Sequence, residues 1–180
     1  MEEQQANFKI LAKLFNKILP KFEIHICLRK LYFLTQVYFE TQRFGSTYES
    51  DESARIAGAD FYRGRGFVPI THDYSYIEFY KHLFSKESAT KELEDFVPTV
   101  SSNLEYAIKS VAWYWKKNNV NQNSDKDEIE KVSAAVNHPK LLNQQPFKSD
   151  GVRMLDKRKE YYKNGRSHFI FNGKNFMSGI

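Results

Sequence analysis

Apolar residues recur at helical spacing in the first forty positions of the chain. Residues 7–19 place an apolar stripe on one face and lysines on the opposite one. The stripe consists of Phe8, Leu11, Leu14, Phe15 and Ile18. This pattern predicts an amphipathic surface helix that stops at Pro20. The segment from about 22 to 42 is apolar nearly all round, which predicts a helix in the centre of a domain.

Helical periodicity disappears between Gly45 and Thr71 and then returns. A structureless stretch of that length inside a compact domain is usually functional. We predict helices over about 74–84 and 150–163, and two more behind the capping patterns Ser102–Glu105 and Asp125–Glu128. The pair Asn172-Gly173 within HFIFNGKNF predicts a tight β-hairpin. The expected class is therefore mainly α, with a long active-site-like loop and a small C-terminal hairpin.

Composition limits the classes of protein to which the chain can belong. The 180 residues suit one domain with a sizeable core, and 16% of them are aromatic. A single cysteine, Cys27, excludes an internal disulfide, and we expect it to be a buried thiol. No apolar run approaches the roughly 20 residues of a membrane span, and MEEQQANFK is not typical of a signal peptide. No histidine shows metal-ligand spacing, so we expect no metal site.

The net charge of +5 comes entirely from the end of the chain. Residues 148–180 hold 8 basic and 3 acidic residues, whereas basic and acidic residues cancel, 19 against 19, in residues 1–147. A basic end favours an anionic partner such as a cell-wall polymer, nucleic acid or lipid headgroups, with a merely solvated basic face as the alternative.

Two carboxylates lie close together in sequence but in different surroundings. Glu40 comes where the apolar helix ends, and loss of hydration there favours the protonated form that a general acid needs. Glu49 lies in the polar stretch STYESD, where we expect it to be ionised and able to act as a base. Glycosidases usually cleave the glycosidic bond with two carboxyl groups, one protonated and one ionised. A pair of solvated surface glutamates is the alternative.

The sequence around these carboxylates resembles glycoside hydrolase family 19 chitinases and related phage endolysins. FLTQVYFETQRF (33–44) is similar to the helix F-x-A-Q-x-x-H-E-T/S-G-x-F of that family. Glu40 falls on the family's general acid, and Gln36 on the substrate-site glutamine four residues before it. The spacing to Glu49 is similar to that in endolysin-type members, where the second glutamate is the base.

Three further segments match the same family in the same order. FYRGRGFVPITHDYSY (61–76) looks like Y-x-G-R-G-x-I-Q-L-T/S-G-x-x-N-Y, with Tyr62, Gly64, Arg65, Gly66, Phe67, Thr71 and Tyr76 matching. SVAWYWKKNNVN and AAVNHPKLLNQQ resemble two later blocks, and DKRKEYY resembles the closing R-x-x-x-Y motif. The resemblance implies that Thr71 holds the attacking water. It also implies that Tyr62, Arg65, Ser75, Tyr76 and Asn137 line the substrate site.

Some residues depart from the family pattern or have a structural alternative. Pro69, His72 and Ser75 replace the family's glutamine, glycine and sugar-binding asparagine, and His138-Pro139 replaces Gly-Gly after Asn137. Arg65 could instead anchor the loop, and Thr71 could cap the following helix. Trp113 and Trp115 are expected in the core.

The resemblance implies a lysozyme-like, two-lobed helical domain over 1–163, followed by a basic aromatic extension over 164–180. It implies inverting hydrolysis of β-1,4 bonds without metal or cofactor. Peptidoglycan is the preferred substrate because the chain end is basic, with chitin oligomers as an alternative. We expect synthesis in the cytoplasm without a signal peptide and action in the periplasm or at the cell wall. An immunity or delivery protein is a further expected partner, and no membrane partner is expected.

Two other functions stay open at this stage. The first is a glycan-binding protein of the same fold in which Pro69 and Ser75 have eroded catalysis. The second is a nucleic-acid module that stacks bases on Phe169, Phe171 and Phe176 of the basic tail. The enzyme is the leading hypothesis.

Overall fold

The protein is mainly helical, as the sequence predicts. A computed structural model describes residues 8–49 and 61–170. The α-helices are α1 (Phe8–Ile18), α2 (Cys27–Glu40), α3 (Asp73–Phe84), α4 (Thr90–Phe96), α5 (Thr99–Ser102), α6 (Leu104–Lys117), α7 (Val120–Asp125), α8 (Ile129–Asn137) and α9 (Leu155–Ile170). Short 3₁₀ helices cover Leu19–Phe22 and Pro139–Asn143. Within the described ranges there is no β-sheet, only isolated bridges at Tyr48, Arg65 and Ile70.

The chain divides into two compact units. The first unit comprises Met1–Ile18 and Glu40–Trp113, and the second comprises Leu19–Phe39 and Tyr114–Ile180. The helix α9 continues across position 163/164, and the boundary expected there from the sequence stays a prediction. No helix among the described residues is long and apolar enough to cross a membrane.

The core of the first unit is rich in aromatic rings. Phe15 of α1 lies 6.1 Å from Phe44 and 6.2 Å from Phe67, measured between ring centroids. Phe79 of α3 lies 5.4 Å from Trp113, which is 8% exposed. These contacts bury the apolar stripe predicted for α1 and fix the segment around Phe67, which adjoins the candidate site.

The core of the second unit forms around α2 and the C-terminal helices. Trp115 is fully buried and packs edge-on against Phe33, with 5.3 Å between ring centroids. Ala134, Leu141 and Val152 form a further buried cluster. The central position predicted for α2 follows from its buried residues: Leu31, Tyr32, Phe33, Thr35, Gln36 and Val37.

Several local predictions were wrong. The side chain of Asn103, rather than Ser102, accepts the amides of Glu105 (2.9 Å) and Tyr106 (3.3 Å) at the start of α6. Ser102 instead ends α5. Asp125 ends α7 and does not cap α8, because its carboxylate binds Arg29.

The expected C-terminal hairpin is also not supported. Residues 168–170, which would begin its first strand, belong to α9, and residues 171–180 lie outside the described part of the chain. The helix persists because the alternation that suggested a strand covers only four residues, HFIF, and follows a long helical segment. Cys27 opens α2 and is half-exposed rather than buried.

Candidate functional site

Glu49 belongs to a short backbone ladder. Its amide donates to the carbonyl of Gly64 at 3.0 Å, and the amide of Gly66 donates to the carbonyl of Thr47 at 2.9 Å. Tyr48 and Arg65 form an antiparallel bridge between these bonds. The ladder fixes the backbone at Glu49, even though the described residues before it, 41–48, form no helix and no continuous strand.

The Glu49 carboxylate folds back onto the backbone of Gly64. Its Oε2 accepts the Gly64 N–H at 3.2 Å. A Cβ added to Gly64 would lie only 2.6 Å from this oxygen and 2.6 Å from the Cβ of Pro69. Glycine is therefore the residue that lets the carboxylate approach so closely.

A second glycine allows the same segment to pack on α6. Gly66 has φ +95, and a Cβ there would lie 2.3 Å from the Ser110 hydroxyl. The amide of the next residue, Phe67, donates to the carbonyl of Ala107 at 3.4 Å. Gly64 thus leaves room for the Glu49 carboxylate beside the ladder, and Gly66 leaves room for the contact between this segment and α6.

Tyr76 lies beneath this ladder. It is fully buried, and its hydroxyl donates to the carbonyl of Arg63 at 2.7 Å. Burial raises the pKa of Tyr76 to about 12, the charges of Tyr48 and Glu49 add to that rise, and Arg65 opposes it.

The two arginines of RGRG have structural contacts. Arg65 is 7% exposed and donates through Nη1 to the carbonyls of Phe61 (2.7 Å) and Arg63 (3.3 Å). The guanidinium carbons of Arg63 and Arg65 lie 5.4 and 5.3 Å from the Tyr48 ring centroid. Arg65 therefore anchors the loop, which is the alternative that the sequence left open.

Glu40 is the last residue of α2 and is half-buried. A tight turn follows, in which the Thr41 carbonyl accepts the amides of Gly45 (2.9 Å) and Ser46 (3.1 Å). The three residues Gln42, Arg43 and Phe44 have φ of 49, 70 and 61. The left-handed conformation costs a non-glycine residue on the order of 1–2 kcal/mol. The stretch between the two glutamates is therefore strained.

Thr71 and Ser75 flank the start of α3, and both are half-buried. Thr71 does not cap the helix, because the N-cap is His72 and no side chain bonds there. The His72 amide donates to the carbonyl of Tyr62 at 3.0 Å. The ring of Tyr62 lies 5.9 Å from that of Tyr76, so this predicted pair is adjacent.

Two predicted substrate contacts belong to the second unit and have internal partners. Gln36 has 0% exposure; its Oε1 accepts from Arg158 at 2.6 Å and its Nε2 donates to the Ser133 hydroxyl at 3.3 Å. Asn137 ends α8, and its Oδ1 accepts the amide of Arg153 at 2.9 Å. Gln36 thus exposes no surface to a ligand and instead holds α9 against α2.

Sequence reasoning missed two features of these units. The contact between Gly64 and Glu49 had no local signal, because the partners are 15 residues apart. In the second unit, Tyr32 and Tyr162 stack at 4.5 Å and both donate to Asp127, which also binds Arg166. Burial of the Tyr32 and Tyr162 rings raises the pKa of each hydroxyl.

Comparisons with protein families, curated proteins and solved structures found no match to this chain. The resemblance drawn from the sequence motifs therefore stays a prediction. Among residues 8–49 and 61–170, no group of three His, Cys, Asp or Glu side chains is arranged to hold a metal ion.

Proposed function

We propose that the protein is a glycoside hydrolase that cleaves β-1,4 bonds in peptidoglycan with inversion. Glu40 is the general acid and Glu49 is the general base. The observation that carries the proposal is the tethering of Glu49 to Gly64 in the same compact unit that contains Glu40. Both residues are half-buried, so each is partly accessible to solvent while its surroundings restrict it.

The reaction needs one carboxyl on each side of the scissile bond. Glu40 protonates the leaving glycosidic oxygen while Glu49 removes a proton from the attacking water, and Thr71 orients that water. An inverting pair requires roughly 6.5–9.5 Å between the carboxyl groups to leave room for the water. Tyr62 and Ser75, which precede and follow Thr71 in the chain, contact the sugar.

Local strain supports a functional role for this part of the molecule. Three consecutive left-handed residues, Gln42 to Phe44, separate the glutamates, and His72 beside Thr71 has φ 69 and ψ 148. Strained backbone of this kind clusters at catalytic and ligand-binding sites. If Glu40 and Glu49 were only solvated surface residues, nothing would favour a strained backbone between them.

The charge distribution supports peptidoglycan over chitin as the substrate. Residues 148–180 carry 8 basic against 3 acidic residues, and peptidoglycan is anionic whereas chitin is not. The lysozyme-like, two-lobed arrangement, the immunity or delivery partner, and action at the cell wall or in the periplasm belong to the same proposal.

The test compares wild-type protein with Glu40→Gln and Glu49→Gln on purified cell walls and on chitin oligomers. Glu94→Gln is the matched control, because Glu94 is exposed on α4. We expect soluble reducing ends from cell walls with wild type and control, and at least a 100-fold loss with either site variant. Mass spectrometry of the products identifies the bond, and proton NMR of the first-formed anomer reports inversion.

Each other function gives a different result in this experiment. Cleavage of chitin oligomers alone would indicate a chitinase. Sedimentation with cell walls without cleavage would indicate a glycan-binding protein with eroded catalysis, which the exposed Pro69 in place of a polar residue would explain. An active Glu40→Gln variant would refute the assignment of the acid.

A further inference from the structure

The backbone of Gly64 contacts both ends of Glu49. The Gly64 carbonyl accepts the Glu49 amide at 3.0 Å, and the Gly64 amide donates to Glu49 Oε2 at 3.2 Å. One residue thus fixes both the backbone and the carboxylate of the proposed base, through the two peptide units on either side of its Cα. A long, flexible side chain loses most of its rotational freedom when both of its ends are held.

No residue other than glycine fits at position 64 with this geometry. An added Cβ would lie 2.6 Å from Glu49 Oε2, 3.2 Å from Glu49 Cβ and 2.6 Å from Pro69 Cβ. Separations below 3.0 Å require something to move. Oε2, at the end of a flexible side chain, is the atom that can move most easily.

The two carboxylate oxygens of Glu49 have different surroundings. Oε2 accepts the Gly64 amide, and within residues 8–49 and 61–170 that bond is the one hydrogen bond to the carboxylate. Oε1 has no donor in those ranges. A base needs an oxygen free to accept a proton, and the tether on Oε2 determines where that oxygen points.

We infer that Gly64 is a positioning residue for the base. Its amide holds Oε2, and its missing side chain leaves room for the carboxylate, so that Oε1 receives the proton from water. As the water oxygen bonds to the anomeric carbon, the bond from that carbon to the leaving oxygen breaks and Glu40 protonates the leaving oxygen. This inference rests on the proposed function of Glu49.

Four variants test the tether: Gly64→Ala, Pro69→Gly, the double variant Gly64→Ala/Pro69→Gly, and Gly64→Ala in a Glu49→Ala background. Pro69→Gly removes the second close contact, so the double variant confines the steric conflict to Glu49. Gly151→Ala is the matched control, because a Cβ there would meet only the flexible Leu141 side chain, at 3.1 Å.

Displacement of a reacting group by about 1 Å costs about 100-fold in rate. We expect kcat of Gly64→Ala/Pro69→Gly to fall by about that factor relative to Pro69→Gly alone, with KM changed less than threefold. In the Glu49→Ala background, Gly64→Ala should change the residual rate less than twofold. The inference is overturned if kcat stays within threefold, if KM rises instead, or if the loss is the same in both backgrounds.

Denaturant unfolding separates this inference from the proposed function. Gly64→Ala should lower the unfolding midpoint more in the Pro69→Gly background than in the Pro69→Gly/Glu49→Ala background, because the second lacks the opposing oxygen. An inert wild type that shows this coupling would refute the proposed function and leave the tether intact. Equal midpoint shifts in both backgrounds would refute the tether whether or not the protein is active.

Discussion

Gln36→Leu should strongly destabilise the second unit. The substitution removes the acceptor of a 2.6 Å hydrogen bond from the Arg158 guanidinium and the donor of a 3.3 Å bond to Ser133. Both Gln36 and Arg158 have 0% exposure, so water cannot replace either bond. A hydrogen bond to a charged group contributes about 1.5–3 kcal/mol and a neutral one about 1 kcal/mol.

Burial of the apolar leucine side chain offsets part of this loss of stability, since buried apolar area contributes about 25 cal/mol per Å². The expected net decrease in the free energy of unfolding is about 2–3 kcal/mol. For a chain of this length the corresponding fall in Tm is roughly 5–10 °C. Urea unfolding followed by far-ultraviolet circular dichroism measures the free energy, and Gln122→Leu, on the exposed surface of α7, is the control.

A double-mutant cycle decides whether the loss acts through Arg158. Replacing both Gln36 and Arg158 by apolar residues should cost less than the sum of the two single losses, because no buried charge then lacks its acceptor. Additive losses, or a Gln36→Leu effect no larger than that of Gln122→Leu, would refute the reasoning.

Three further perturbations test other parts of the structure. Arg43→Gly should raise the free energy of unfolding by about 0.5–1 kcal/mol by relieving the left-handed strain at φ 70, and a lower Tm would contradict this. Tyr76→Phe should cost about 1–2 kcal/mol because the Arg63 carbonyl loses the shorter of its hydrogen bonds and keeps the one from Arg65, and absorbance titration should show that the variant lacks a tyrosine that ionises in wild type near the raised pKa of about 12. Hydrogen bonding from Arg29 lowers the pKa of Asp125. Asp125→Asn should therefore lower the free energy of unfolding by about 1 kcal/mol at pH 7, and by progressively less as pH falls below about 4. A difference in unfolding free energy between wild type and variant that does not change with pH would contradict the ion pair.

The proton linkage at Asp125 and Tyr76 has opposite signs. A carboxyl whose folded-state pKa is depressed stabilises the protein above its unfolded value, about 3.9, and loses that contribution as pH falls through the folded value. A tyrosine whose pKa is raised stabilises the protein below about pH 10 and loses that contribution as pH rises towards about 12. The Asp125 contribution acts in the second unit and the Tyr76 contribution in the first.

The sequence alone predicted the longer helices, because their signal is local, whereas it missed the short helices α4, α5 and α7. The apolar spacing around Phe15 and the continuous apolar segment before Glu40 predict α1 and α2, and both occur with ends shifted by a few residues. The burial of Trp113 and Trp115 also followed from their place in an apolar helix. Periodicity reports which face of a helix is buried, and that property needs no knowledge of distant residues.

Only the tertiary structure decided which side chains meet. The Glu49 carboxylate and the Gly64 amide are 15 residues apart, and Gln36 and Arg158 are 122 apart. Such contacts depend on how the chain folds back on itself, which no local pattern encodes. The same limit applies to the start of the expected hairpin: the residues at 168–170 suit a strand, but continuation of α9 forms hydrogen bonds within the helix without requiring a partner strand.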